Sequence, residues 1–345
     1  PQKAGLEEER EHALHGQRLP NGMDGVSGLT QPAIEPGKTF VYEFEAKRPG
    51  TFMYHPHADE MLQMAMGMMG SWITHPKNPK FMAVDRDFVF LLNAYDIEPG
   101  SFTPKVNTML DFNLWTWNSR AFPGIDPIVV GKDERVRIRV GNLTMTNHPI
   151  HLHGHEFEVT WTDGGWVPKT ARWPEVTTDI AVGQMRAIEF IASEPGAWAL
   201  PCHPRPPPLN AMGHSFPTMI GVKQDDLMKR ITHLVPDYMP MGETGMSEMT
   251  EMSGQMDMPL PKNTLPMMTG NGQYGSLEMG GMFTTVKVRQ GLARDDYKNP
   301  GDYPHPKGTV AHMVEADLAE VKRSMPAMDG EIEVNVRKPA GHVGH

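Results

Sequence analysis

Short runs of alternating apolar and polar residues, closed off by proline and glycine, occupy the first two thirds of the chain. Thr39-Phe40-Val41-Tyr42-Glu43-Phe44-Glu45 lies between Glu35-Pro36-Gly37 and Pro49-Gly50. Its period of two predicts a strand. Thr51-Phe52-Met53-Tyr54 predicts a second strand, and His75-Pro76-Lys77-Asn78-Pro79 reads as a linker. A second unit opens at Phe88-Val89-Phe90-Leu91-Leu92 and contains Arg135-Val136-Arg137-Ile138-Arg139-Val140. There charged and branched residues alternate strictly, which predicts a half-buried strand ending at Gly141. This unit closes near Met219-Ile220-Gly221-Val222. Beyond it, twelve methionines lie between Met228 and Met282 among Gly, Pro, Ser and Glu, including Met239, Met241, Met246, Met249, Met252, Met256 and Met258. The pattern divides the chain into residues 1–79, 80–222 and a Met-rich, low-complexity extension, 223–345.

Candidate chemistry sits at the ends of these runs. In His148-Pro149-Ile150-His151-Leu152-His153-Gly154, residues two apart on a strand project from one face about 7 Å apart. His151 and His153 can therefore grip neighbouring metal ions, while His148 falls outside that alternation and is free for another centre. His55-Pro56-His57 repeats the spacing, and a third cluster surrounds Cys202, the single cysteine. Imidazole with thiolate suits copper or zinc. One thiolate, two imidazoles and a distant methionine form the ligand set of a blue-copper electron-transfer centre. The axial candidate is Met212.

The ordered motifs carry a resemblance. His15-Gly16, Met23-Asp24-Gly25-Val26 with Thr30-Gln31, Gly50 to His57, His148 to Gly154, and Cys202-His203 with Met212 together resemble a multicopper oxidase over roughly residues 12 to 222. The resemblance implies an all-β chain of cupredoxin-like Greek-key β-sandwich domains. It further implies one blue (type 1) copper and a type 2/type 3 trinuclear cluster, coupling one-electron oxidation of a donor to reduction of dioxygen to water. His148, Cys202 and Met212 match blue-copper ligands, and His151 matches the type 2 ligand. His15, His55, His57, His153 and His203 match the type 3 pair. Adjacent Cys202 and His203 form the short covalent path for electrons. About 90 residues separate His57 from His148, too few for a further whole domain between them. The layout is thus similar to the two-domain small laccases and copper-resistance proteins, which implies a homotrimer with the cluster built between subunits.

Three expected histidines are missing. Ala13 stands two before His15, with His12 one step out of register, and Pro201 and Pro207 stand immediately before and five after Cys202. Proline offers no side-chain ligand and no backbone donor. His12, His155, His214 and His233 read as surface or supporting residues. Asp59 and Glu60, just past His57, could pass protons toward oxygen, or could simply be solvated. Met61, Met64, Met66, Met68 and Met69 read as core, whereas the later methionines could equally recruit Cu(I) or pack loosely.

Composition narrows the field. The formal charge of −10 argues against nucleic-acid binding. No run of 18 apolar residues predicts a membrane span, and one cysteine excludes an intrachain disulfide. Few residues precede the first copper motif, so an N-terminal piece carrying any export signal, for a periplasmic or secreted protein, is expected. The sequence thus points to a laccase-like oxidase acting on phenols or Cu(I). The alternative is a copper-binding, copper-tolerance protein whose turnover is impaired by Pro201 and Pro207.

Overall fold

The structure is a computed structural model that describes residues 13–78, 80–97, 103–109, 112–203, 271–277 and 281–311. It is mostly β, with several sheets. Strands β1 (Ala13–His15), β2 (Gly50–His55) and β3 (Gly70–Thr74) form an antiparallel sheet in that order, with helix α1 (Glu60–Ala65) between β2 and β3. The following strands are β4 (Arg86–Tyr95), β5 (Leu114–Trp117), β6 (Ile128–Gly131), β7 (Arg135–Asn142) and β8 (His148–His151). Next come β9 (Glu158–Thr162), β10 (Gly165–Trp166), β11 (Thr177–Ile180), β12 (Met185–Ile191) and β13 (Gly196–Pro201). Two short strands, β14 (Asn271–Gly272) and β15 (Gly275–Ser276), precede β16 (Phe283–Arg289).

A six-stranded sheet, β10-β9-β12-β7-β4-β5, faces a three-stranded sheet, β13-β16-β6, and the pair β11-β8. Their inner faces supply the main core, in which Leu92, Trp117, Ile138 and Ile188 meet Ile128, Leu200, Val286, Ile150 and Ile180. Each such side chain stabilises the fold by about 1.5–3 kcal/mol. Strand β16 lies within the stretch 223–345 that composition sets apart. It nevertheless pairs along all of β13 and runs parallel to β6, so the chain returns after the Met-rich stretch to complete this sheet. Met282 is buried in the same core and does not belong to a loose tail. The other Met-rich positions named above lie outside the described residues. Residues 304–345 form a separate unit, of which 304–311 are described.

Two expectations from alternation are corrected. The strand β7 is buried on both faces rather than half-buried. Val136, Ile138 and Val140 enter the core, while Arg137 and Arg139 are buried under the sheet β1–β3. Arg139 donates to Thr51 Oγ1 (2.5 Å) and to both oxygens of Asp87, and Arg137 donates to Glu189, Asp87 and the carbonyl of Met82. Burial of these guanidiniums is tolerated because their donors are met by carboxylates and carbonyls. The second correction concerns Thr39–Glu45, which forms no strand and joins no ladder among the described residues. Tyr42 and Phe44 turn inward, Tyr42 donating to Gln31 Oε1 (2.6 Å) and Phe44 packing on Trp72. Alternation reports a half-buried surface; a strand also needs a hydrogen-bonding neighbour.

Candidate metal centre

The sheet β1–β3 sets the first histidine group. The register places His15 opposite Met53 and Ala13 opposite His55. His55 ends β2 and His57 follows two residues later, so three imidazoles converge, their ligand nitrogens all within 4.8 Å of one another. His55 Nε2 and His15 Nε2 lie 2.6 Å apart, while His55 Nδ1 faces the Pro56 carbonyl at 2.9 Å and Glu60 Oε1 at 3.3 Å. A proton on Nδ1 leaves the Nε2 lone pair aimed at His15. Burial, aided by His55 and His57, holds His15 well below the usual histidine range, at about 4, and burial lowers His55 as well. Both are therefore neutral at pH 7, the state in which imidazole binds metal.

Cys202 and His148 form a second, buried site. Strand β13 brings Cys202 against β8 through an Ile150–Cys202 bridge, and Cys202 Sγ lies 3.3 Å from His148 Nδ1. His148 is fully buried. Thr144 Oγ1 (2.7 Å) and Thr146 Oγ1 (3.2 Å) face its Nε2. If Nε2 carries the proton, Nδ1 is turned toward the sulfur with its lone pair free. Thr144 is held in turn by the buried Asn142. Burial pushes the Cys202 thiol up and lowers His148 to about 4; a bound cation would reverse the thiol's shift. Thr144 and Thr146 escaped sequence reasoning because hydroxyls are not typical copper ligands. Their spacing at every second residue before His148 is the signal that could have found them.

The third group is His151, His153 and His203. Val176 O and Thr177 Oγ1 take up His151 Nδ1, at 2.7 and 2.8 Å, leaving Nε2 outward. The His151 ring lies 4.7 Å from that of His153 and 5.5 Å from that of His203. Consecutive side chains of an extended segment point to opposite faces, so Cys202 enters the core while the neighbouring His203 joins the outer imidazoles. Pro201 also flanks Cys202, paired with Phe283 in β13–β16, and leaves this group one donor short of the expected set. Among the described residues no ring contact or shared ligand group joins the first group to the third. His155 is buried beside Phe190 and Trp198 and accepts from the Glu194 amide, so it is a core residue rather than a surface one. Met212, Pro207, His12, His214 and His233 lie outside the described residues.

Comparison with known proteins identifies the family of the chain. Two multicopper oxidase family profiles match the chain, one over residues 5–79 and the other over residues 99–216. The chain belongs to the multicopper oxidase family. It therefore carries two cupredoxin-type domains of that family. Copper resistance protein A of Escherichia coli is 38% identical over 108 residues, 31% of this chain and 18% of that protein. Dihydrogeodin oxidase of Aspergillus terreus is 30% identical over 201 residues, 51% of this chain and 31% of that protein. The chain thus spans under a third of the length of these curated relatives. Among solved structures, the blue copper oxidase of Nitrosomonas europaea superposes with a TM-score of 0.54 at 23% identity, covering 82% of this chain and 70% of that one. The multicopper oxidase mgLAC superposes with a TM-score of 0.54 at 21% identity, covering 85% of this chain and 73% of that one. At such identities the likeness concerns the fold. Members of this family use copper in oxidoreductase chemistry with dioxygen, and the donors here suit copper: a thiol facing an imidazole, and the imidazoles of His15, His55 and His57 converging to within 4.8 Å of one another. No helix among the described residues is long and apolar enough to cross a membrane.

Proposed function

We propose that this chain is a laccase-like multicopper oxidase with phenols or Cu(I) as electron donor, acting as a homotrimer. The observation that carries the chemistry is the buried approach of Cys202 Sγ to His148 Nδ1 at 3.3 Å, one residue from an exposed imidazole group. Copper held by the three groups together would supply one-electron oxidation of the donor and four-electron reduction of dioxygen to water. Cys202 and His148, together with Met212, would hold the blue copper. His151 would hold the type 2 ion, and His15, His55, His57, His153 and His203 the type 3 pair.

The chain's own groups prepare that chemistry. Main-core side chains such as Ile150, Leu200 and Val286 exclude water from the thiol. Thr144 fixes the His148 ring, and Pro56 and Glu60 fix that of His55. Glu60 is half exposed and adjoins the first group, so it is placed to pass protons from solvent. Assembly across subunits is supported by the separation of the first and third groups within one chain. The third group also borders an open cavity of about 370 Å³, into which a neighbour's His15, His55 and His57 would fit.

Impaired turnover is the second reading, favoured by Pro201 where this geometry calls for a donor. Copper content measured together with oxygen uptake decides between the readings. The oxidase reading expects copper-loaded protein to consume oxygen with a phenol or Cu(I), and expects Cys202→Ser to lose both intense visible absorption and uptake. Copper binding without uptake would support the impaired-turnover reading. A coloured, active serine variant would remove Cys202 from the site.

A further inference from the structure

His15 is the least anchored donor of the first histidine group. His55 closes β2, which is paired on both sides, whereas β1 contributes three residues and a single ladder, with His15 at its end. A ligand so placed needs support from outside the ladder, and one side chain supplies it. The half-buried Arg48 donates through Nη2 to the carbonyl of Gly16, which follows His15, and to that of Asp163 at 3.1 Å. Its Nη1 donates to the carbonyl of Gly164 at 2.5 Å. Asp163 and Gly164 form the turn between β9 and β10 of the six-stranded sheet. One planar fork therefore ties the chain beside His15 to that sheet.

Packing leaves the tied segment little slack. Gly16 has φ +83°, and a Cβ there would stand 3.0 Å from the Phe52 ring and 3.1 Å from the Asp163 carbonyl. The guanidinium carbon of Arg48 lies 5.4 Å from the centroid of the same ring. Charge pairing does not explain this placement. The Asp163 carboxylate is held by Arg186 at 3.3 Å, and Arg18 repels Arg48. Asp24 and Asp163 are the carboxylates that act on His15. What holds Arg48 is the set of three carbonyls.

We propose that Arg48 is a positioning residue for the first histidine group: its fork to Gly16, Asp163 and Gly164 keeps His15 Nε2 2.6 Å from His55 Nε2, where both can reach one metal ion. The inference rests on the copper reading above and deepens it by naming a residue that touches no metal. A cation near a copper site opposes copper binding by its charge. Removing Arg48 would tighten the site if charge were its whole effect, and weakens it if the fork positions His15. The two effects have opposite signs.

The test follows 15N-labelled histidine rings in the full chain under argon, first without copper and then with free Cu(I) set by a competing chelator. Single alanine substitutions of His15, His55 and His148 assign the signals. Arg48→Met keeps the side-chain stem and removes the fork, while Arg48→Lys keeps the charge on an ammonium that lacks the planar fork. Before copper is added, the His15 ring signals should move in Arg48→Met. The free Cu(I) needed to shift the His55 ring should then rise at least about tenfold, with Arg48→Lys nearer to Arg48→Met than to the unmodified chain. His148, in the Cys202 site, should respond at unchanged Cu(I). A His55 response at unchanged or lower Cu(I), full rescue by Arg48→Lys, or an equal rise at His148, the mark of a general structural loss, would overturn the proposal. Failure of the copper reading would look different: the rings of the unmodified chain would ignore Cu(I). The copper-free spectra would then decide alone, and an unmoved His15 ring in Arg48→Met would refute the positioning role.

Discussion

The two histidine groups outside the Cys202–His148 pair are built on the same i, i+2 spacing but finish differently. His15, His55 and His57 draw donors from two paired strands, and their nitrogens close to within 4.8 Å. His151, His153 and His203 come from the end of β8, the loop after it and the residue beyond Cys202. The His151 ring stands 4.7 and 5.5 Å from those of His153 and His203, a spacing like the 4.4 to 5.9 Å of the first group's rings, but among the described residues the nitrogens of this group do not all close to within 4.8 Å, and Pro201 fills the place of a further donor. A ladder brings ligands together by register. A loop and a strand end place them only loosely, and the third group depends on donors from elsewhere.

The arginine face of β7 lies under the sheet that carries the first group, and breaking it gives the largest expected effect. Arg137→Ala leaves Glu189, 3% exposed at its side chain, with Arg135 as its remaining ion-pair partner. A loss of roughly 3 kcal/mol is expected, the low end for a broken buried pair because Arg135 still neutralises the carboxylate. Urea unfolding reads this; an unchanged midpoint would show that the buried Arg137–Glu189 pair carries no such load.

Gly154→Ala sharpens the contrast by touching the third group alone. Gly154 has φ +71° and its missing Cβ faces the Trp198 ring at clashing distance, so the substitution combines backbone strain with overpacking. A cost of about 1–3 kcal/mol should come with weaker copper binding at the cluster that His151 and His153 are proposed to share with His55. Metal content of His55→Ala compared with that of the double variant checks this: losses that fall short of additive support a shared cluster, and additive losses would count against it.

The smallest effect concerns the buried pair. Thr144→Val removes the hydroxyl that faces His148 Nε2 while preserving volume. Copper affinity at the Cys202 site should fall about tenfold, read as a displaced chelator-competition curve for the visible absorption, with the other two groups unaffected.

Much of this arrangement was legible in the chain because metal sites are built from a few residue types at fixed spacings. His55, His57, His151, His153 and Cys202 declare themselves, and strand periodicity put His148 and His203 on the correct faces. What the sequence could not reveal depends on partners distant along the chain. Arg137 and Arg139 alternate as a solvated face would, and only the sheet lying over them shows that they are buried. Thr39 to Glu45 alternates like a strand but joins no ladder among the described residues. Strand β16 lies 80 residues after β13 closes, beyond a stretch whose composition argued for an extension. Met64 and Met69 pack as core against Met53, Leu143 and Met185, but Met61 and Met66, read as core with them, are exposed, because α1 and its end have an outer face that composition does not reveal.

The central claim is that the first group of one chain works with the third group of another. Co-expression of His55→Ala and His151→Ala chains tests it most directly, since neither chain alone holds both groups intact. If neighbouring subunits share the site, mixed assemblies contain junctions where an intact first group meets an intact third group, and oxygen uptake should return to a measurable fraction of the unmodified protein's. If both groups serve one site within a single chain, no mixture contains an intact site, and uptake would stay at the level of the separate variants.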